Sequence, residues 1–228
     1  MPVWSATDLA VSVLTTLQEV LVHQRARWAS LFGHQHQYEG WWKAEFFLAV
    51  ESGCWRMDLP EATWVNSEVK PRDHGVGDGK QSIDLLVARW CEQTDCVHAE
   101  PPRLWIEIKE RGTWWGDPRK ALCQESGSVA CDIEKWRQAP WKPADVVVAC
   151  QIVAHDAEEN NYEPLPQNWR TVLDEIHAGA PRFLPTRSVQ YRSFSPTSGA
   201  LINRFATIDF FTIYGAEHIP APRGVSRV

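Results

Sequence analysis

The chain has 228 residues, 23 Lys+Arg against 29 Asp+Glu, a formal net charge of −6 and 44% hydrophobic residues. These proportions exclude an intrinsically disordered segment, a collagen-like repeat and a disulfide-dense miniprotein, and they leave enough apolar mass for a sizeable core. The acidic balance also excludes a protein that coats nucleic acid by charge alone.

Apolar positions Leu9, Val13, Leu17, Val20 and Leu21 recur at helical spacing and predict a helix over residues 8–32. Ser5 or Thr7 can cap it, Asp8 suits its first turn, and Gly33 can end it. After a polar break at 34–39, a second helix is expected over about 40–52, with Trp42, Phe46, Ala49 and Val50 on one side and Gly53 as its stop. A short strand is expected near 63–69, and the glycines at 75, 77 and 79 suit a hairpin turn. Residues 81–90 read as a strand with Ile83, Leu85 and Val87 on one face, and residues 103–109 as another with Leu104, Ile106 and Ile108 on one face.

Residues 91–102 and 111–127 read as loops, with a helix expected at about 128–138. The near-continuous apolar run at 145–154 suits a strand buried on both faces. A loop at 155–165, a helix at 166–178 and strands near 188–194 and 206–214 complete the pattern, with a loose tail at 216–228. This order predicts an α/β or α+β domain spanning 1–228, in which helices flank a mixed central sheet and a helical pair precedes it. No run reaches the ~20 apolar residues that span a bilayer, and the N-terminus lacks the charged and apolar regions of a secretory signal. The expected location is therefore the cytoplasm, with reduced thiols at Cys54, Cys91, Cys96, Cys123, Cys131 and Cys150.

The chemistry-bearing pattern is Asp84 with Glu107 and Lys109. Asp84 interrupts an apolar strand, where an unpaired carboxylate is expensive. Glu107 and Lys109, two residues apart on the next strand, leave it on the same face. Neighbouring strands can set Asp84 opposite Glu107, and two such carboxylates repel unless a cation lies between them. Hard oxygen donors suit Mg²⁺ or Mn²⁺, which can polarise a phosphoryl oxygen and activate water. Lys109 can orient that water, take part in proton transfer or stabilise phosphorane charge.

Asp84 followed by Glu107-Ile108-Lys109, between a helix upstream and a helix–strand unit downstream, resembles the PD-(D/E)XK nuclease superfamily over residues 38–154, although Ile83 stands where the family's Pro would be. The resemblance implies a restriction-endonuclease-like core and Mg²⁺- or Mn²⁺-dependent hydrolysis of phosphodiesters, DNA above all. The contexts would be restriction, phage defence, a mobile element or repair. It implies Asp84, Glu107 and the Ile108 carbonyl as metal ligands, Lys109 at the attacking water, and Glu45 on the upstream helix as a catalytic residue and further ligand. Glu51 is the alternative on that helix. Asp132 and Lys135 would be secondary, or simply a helix salt bridge. The segment 181–228 carries no family pattern. The competing reading is a catalytically inactive member of the same fold serving as a binding or assembly subunit.

Arg111, Trp114, Trp115, Arg119 and Lys120 interleave aromatic and basic groups after Lys109, a composition that can stack on bases and hold phosphates. Segment 181–228 holds six arginines against Asp209 and Glu217, which makes it a candidate backbone-contacting surface. An acidic nuclease binds DNA weakly, so a homodimer or a targeting partner is expected. The spacings of Cys91, Cys96, Cys123 and Cys131 argue against zinc or an iron–sulfur cluster. Cys131 and Cys150 are expected to be buried, and His34, His36 and His74 to lie on loops. Of the 13 tryptophans, Trp42, Trp105, Trp136 and Trp169 are expected in the core.

Overall fold

The computed structural model describes residues 5–32, 38–52, 63–89, 100–195 and 198–215. Helices α1 (Ala6–His23) and α2 (Arg25–Phe32) replace the single helix expected over 8–32, because the chain leaves helical geometry at Gln24. Ser5 caps α1, its side chain accepting from the Asp8 N–H while Asp8 reaches back to the Ser5 N–H. Helix α3 (Glu39–Ser52) follows, so among the described residues three helices precede the sheet.

Strands β1 (Thr63–Val69), β2 (Ile83–Arg89) and β3 (Glu100–Gly112) form an antiparallel meander. Helix α4 (Val129–Arg137), N-capped by Ser128, then crosses over to β4 (Asp145–Glu158), which lies parallel to β3. Helix α5 (Gln167–Gly179) leads to the antiparallel pair β5 (Arg187–Phe194) and β6 (Leu201–Tyr214). The six strands lie in the order β1-β2-β3-β4-β6-β5. The structure is thus α+β, with a mixed six-stranded sheet flanked by helices. The C-terminal strands belong to this sheet, with β6 paired along most of β4.

Each face of the sheet carries its own apolar cluster. Helices α1 and α3 cover Leu85, Val87, Leu104, Ile106, Ile108 and the even-numbered positions of β4 from Val146 to Ala154. Helices α4 and α5 cover Leu86, Ala88, Trp105, Val147, Ala149 and Val153. Ile83 packs with this second cluster, beside Val69 and Val76, and not with Leu85 and Val87 as its alternation predicts. Trp42, Trp105, Trp136 and Trp169 are all buried, and Trp28 and Trp141 join them. Strands β3 and β4 run past their expected ends, and the supposed loop at 111–127 holds short helical turns at Thr113–Trp115 and Lys120–Gln124. Between β1 and β2, a 3₁₀ turn at Pro71–His74 replaces a simple hairpin turn.

Candidate active site

The β2–β3 ladder stops at Leu85↔Ile106, one residue short of Asp84. There the Asp84 carboxylate takes the place of a strand partner. Its Oδ2 accepts the Ile108 N–H at 2.6 Å, so Asp84 and the Glu107-Ile108-Lys109 segment are locked together. Asp84, Glu107 and Lys109 are all buried. Lys109 Nζ donates to Glu107 Oε1 at 3.1 Å and lies 3.4 Å from Asp132 Oδ2 on α4 and 3.7 Å from Glu39 Oε1 on α3. Lys135 pairs with the other oxygen of Asp132 at 3.1 Å. The structure therefore brings Asp84, Glu107, Lys109, Asp132 and Lys135 into one connected cluster.

Glu45 is elsewhere. Its carboxylate pairs with Arg27 of α2 at 2.9 Å, and Glu51 is exposed. The acidic residue that α3 sends to Lys109 is Glu39, six residues earlier. Six residues turn a helix by about 600°, which separates the two side chains by some 120° around the axis. Lys43, one turn after Glu39, reaches Asp84 Oδ1 at 2.6 Å, Glu39 at 3.1 Å and Glu68 at 3.4 Å. Ser82 Oγ donates to the second oxygen of Glu68, whose backbone sits at φ 53, the left-handed region that non-glycine residues seldom adopt. Gln151 of β4, in register with Lys109, donates to the Lys109 and Ile152 carbonyls, and its own Oε1 is buried without a hydrogen-bond partner.

Glu39, Lys43, Glu68 and Gln151 were not singled out from the sequence. Gln151 had the same signal as Asp84, a polar residue inside an apolar strand. Glu39 and Lys43 had an i,i+4 spacing that any solvated helix face also shows.

Electrostatically, the buried carboxylates of Asp84, Glu107 and Asp132 are held by the buried Lys109 ammonium and by the partly exposed Lys43 and Lys135. Burial raises the Glu107 carboxyl to about 7, the Asp84 charge adds to that, and Lys109 opposes it. Burial also raises Asp84, against the pull of Lys43 and the Ile108 N–H. Burial alone would lower Lys109, but Glu107, Glu39, Asp132 and Asp84 together hold it above its ordinary value, so it is an ammonium.

Among the described residues no group of three or more His, Cys, Asp or Glu is arranged to hold a metal ion. Asp84 and Glu107 nevertheless supply two hard oxygen donors, and Glu107 Oε2 is buried with no hydrogen-bond partner. Mg²⁺ is commonly bound by one or two carboxylates and completed by water. The donor set fits such an ion.

The expected nucleic-acid contacts divide. Arg111 is buried, its guanidinium donating to the Glu110 and Gly127 carbonyls, and Trp114 packs on the core beside Gly112. Both are committed to packing. Trp115 is 40% exposed, with the Arg111 guanidinium over its ring at 5.2 Å. Arg119 and Lys120 are exposed, although Arg119 is held bidentate by Glu175. Among the described residues of segment 181–228, every arginine has an acidic partner. Arg182 pairs with Asp174 and Asp209, Arg187 with Glu19, Arg192 with Glu159 and Arg204 with Asp156. Arg223 and Arg227 lie outside the described residues.

Cys123, Cys131 and Cys150 are free thiols, with Cys150 buried and Cys131 exposed, contrary to the expectation for Cys131. Cys131 sits in the first turn of α4 on its outer side, where its helical position does not face the sheet. His74 is also not a surface group. It is buried, its ring against Trp105, because the 3₁₀ turn folds back over the sheet. His34, His36, Cys54, Cys91 and Cys96 lie outside the described residues.

Helix α3, which carries Glu39 and Lys43, is tied to β3 by Glu110, whose Oε2 accepts the Tyr38 N–H at 3.1 Å. Burial pushes the Glu110 carboxyl from its ordinary 4.5 up to about 7. The folded state thus keeps a proton that the unfolded chain releases at lower pH. Its stabilising contribution is full below about pH 4.5 and is lost as the pH rises to about 7, a change of ~3 kcal/mol. In EDTA, Glu110→Gln should remove that slope while still accepting from Tyr38. Denaturant midpoints at pH 5 and pH 8 should show the variant gaining on wild type at the higher pH.

No protein-family model, curated protein or solved structure matches this chain. No helix among the described residues is long and apolar enough to cross a membrane.

Proposed function

We propose that this chain is a metal-dependent nuclease that hydrolyses phosphodiester bonds, with DNA as its substrate class. The observation that carries the reading is the lock between Asp84 and the Glu107-Ile108-Lys109 segment, which gathers two buried carboxylates and one buried ammonium at a break in the sheet. The chain order α3-β1-β2-β3-α4-β4 around that break also supports it, since it follows the order of elements in the PD-(D/E)XK superfamily.

Asp84, Glu107 and the Ile108 carbonyl would hold Mg²⁺ or Mn²⁺. When bound, the ion supplies Lewis-acid polarisation of a phosphoryl oxygen and a more acidic water. Lys109 aims an ammonium at the same place, where it orients the attacking water and balances charge on the phosphorane. Asp132 and Glu39 hold that ammonium in position, and Lys135 holds Asp132. Without a metal the surrounding carboxylates favour the ammonium form of Lys109, which suits the orienting and charge-balancing role.

The test is incubation with linear, circular and single-stranded DNA, and with RNA, in Mg²⁺ or Mn²⁺, comparing wild type with Asp84→Ala and Lys109→Ala. Metal-dependent cleavage lost in both variants supports the proposal. Cleavage that survives both, or no cleavage of any substrate, overturns it. The second outcome leaves a non-catalytic binding subunit as the better account.

Of Trp114 and Trp115, Trp115 has the exposed ring surface that a base would meet, beside the Arg111 guanidinium. Trp115→Ala should weaken single-strand binding by ~1–3 kcal/mol, measured by fluorescence anisotropy, with the melting temperature unchanged. Trp114→Ala should instead lower the melting temperature, because Trp114 packs on the core.

A further inference from the structure

The Lys43 ammonium is the most closely surrounded cation of the cluster. Carboxylates from three different elements converge on its Nζ: Asp84 of β2 at 2.6 Å, Glu39 of α3 at 3.1 Å and Glu68 of β1 at 3.4 Å. The Lys43 side chain is 22% exposed and that of Asp84 only 7%. Asp84 is the shared corner of two cation environments. Its Oδ1 faces Lys43, while Glu107, with its buried and unpartnered Oε2, lies on the adjoining strand. Sites that use two metal ions likewise set two cations close together, about 3.5–4 Å apart.

We propose that the Lys43 ammonium fills the place of a second divalent cation, so that the chain takes up one metal ion rather than two. The inference rests on the metal reading of Asp84 and Glu107 given above. As they stand, with Nζ among them at 2.6, 3.1 and 3.4 Å, the carboxylates of Asp84, Glu39 and Glu68 do not form a metal site. A divalent ion, whose oxygen distances are shorter, could enter only where Nζ now stands, with the three acids drawn in around it. A lysine there brings a permanent cation that needs no uptake from solution. It also supplies positive charge, where a second metal would supply a Lewis acid, to any phosphate oxygen that approaches Asp84. The side chain is delivered by α3, whose first turn is anchored on Glu110, so its placement is part of the fold.

The experiment counts Mn²⁺ ions per full-length chain, by calorimetry and by the electron paramagnetic resonance signal of free Mn²⁺. Wild type should bind one ion, lost in Glu107→Gln. Lys43→Met should bind two, and adding Glu68→Gln to Lys43→Met should remove the second. Thermal unfolding supplies a second readout. Without metal, Lys43→Met should melt below wild type, because three acids lose their counter-ion, and Mn²⁺ should restore it. If the methionine variant does not fold, Lys43→Gln serves in its place. Two ions on wild type, or a single ion on the folded Lys43 variants, overturns this inference and leaves the nuclease reading standing. No ion on wild type, or one that survives Glu107→Gln, overturns the metal reading and this inference with it.

Discussion

Lys109→Met should lower the rate of phosphodiester cleavage by about 10²–10³-fold, the range for removing one preorganised charge-stabilising donor. The methionine keeps the apolar stem and removes only the ammonium. Mn²⁺ binding should survive in this variant, because Asp84 and Glu107 are untouched and lose a competing cation. Glu107→Gln should lose cleavage and Mn²⁺ binding together. That split separates the group that acts on the substrate from the groups that hold the ion. Lys109→Arg should not rescue activity. A planar guanidinium cannot replace a compact ammonium between Glu107 at 3.1 Å and Asp132 at 3.4 Å. Cleavage by Lys109→Met at the wild-type rate would remove Lys109 from the mechanism.

The largest expected loss of stability lies away from that site. Asp145 begins β4 and is fully buried, and Arg103 of β3 lies opposite it in the parallel ladder. The guanidinium donates to both carboxylate oxygens, at 2.6 and 2.9 Å, and its third nitrogen donates to the His74 carbonyl. The Lys142 N–H completes the carboxylate's partners. Asp145→Ala leaves a buried guanidinium without its counter-charge, which costs ~3–5 kcal/mol. For a chain of this size that is a fall in melting temperature of about 10 °C. The double variant Arg103→Met/Asp145→Leu should lose less than Asp145→Ala alone. Replacing a buried pair by apolar groups is far cheaper than breaking it. A double variant as unstable as the single one would show that the loss comes from packing and not from the stranded charge.

How much of the site was legible in the sequence depends on what each residue's neighbours are. Asp84 stood out because a carboxylate in an apolar strand has no local partner to explain it. Glu107 and Lys109 were placed on one face by the two-residue repeat of a strand, and the register bears that placement through the shared contacts of Glu107 and Lys109. The helix contribution was not legible. Glu39, Glu45 and Glu51 are all acids on or beside one helix, and choosing among them requires the rotation of that helix on the sheet. In the structure, Trp42 and Phe46 set this rotation by packing on the apolar face, which carries Glu39 and Lys43 toward Asp84 and Glu45 toward Arg27. The charge split along the chain likewise carried no information on pairing in space. Arg182, Arg187, Arg192 and Arg204 meet acids drawn from elsewhere in the sequence, so among the described residues the arginines of that segment are paired in space.

By itself the sequence determined the elements and their order, from the two-residue and 3.6-residue periodicities of apolar side chains, and it marked the buried acid in β2. Those features depend on neighbours within a few residues. The break at Gln24, the extension of β3 and β4, the joining of β5 and β6 to the sheet, and the convergence of Asp84, Glu39 and Glu68 on Lys43 were decided only by the tertiary structure. Each depends on which surfaces meet across the fold, and contacts between residues far apart in the chain leave no periodic trace along it.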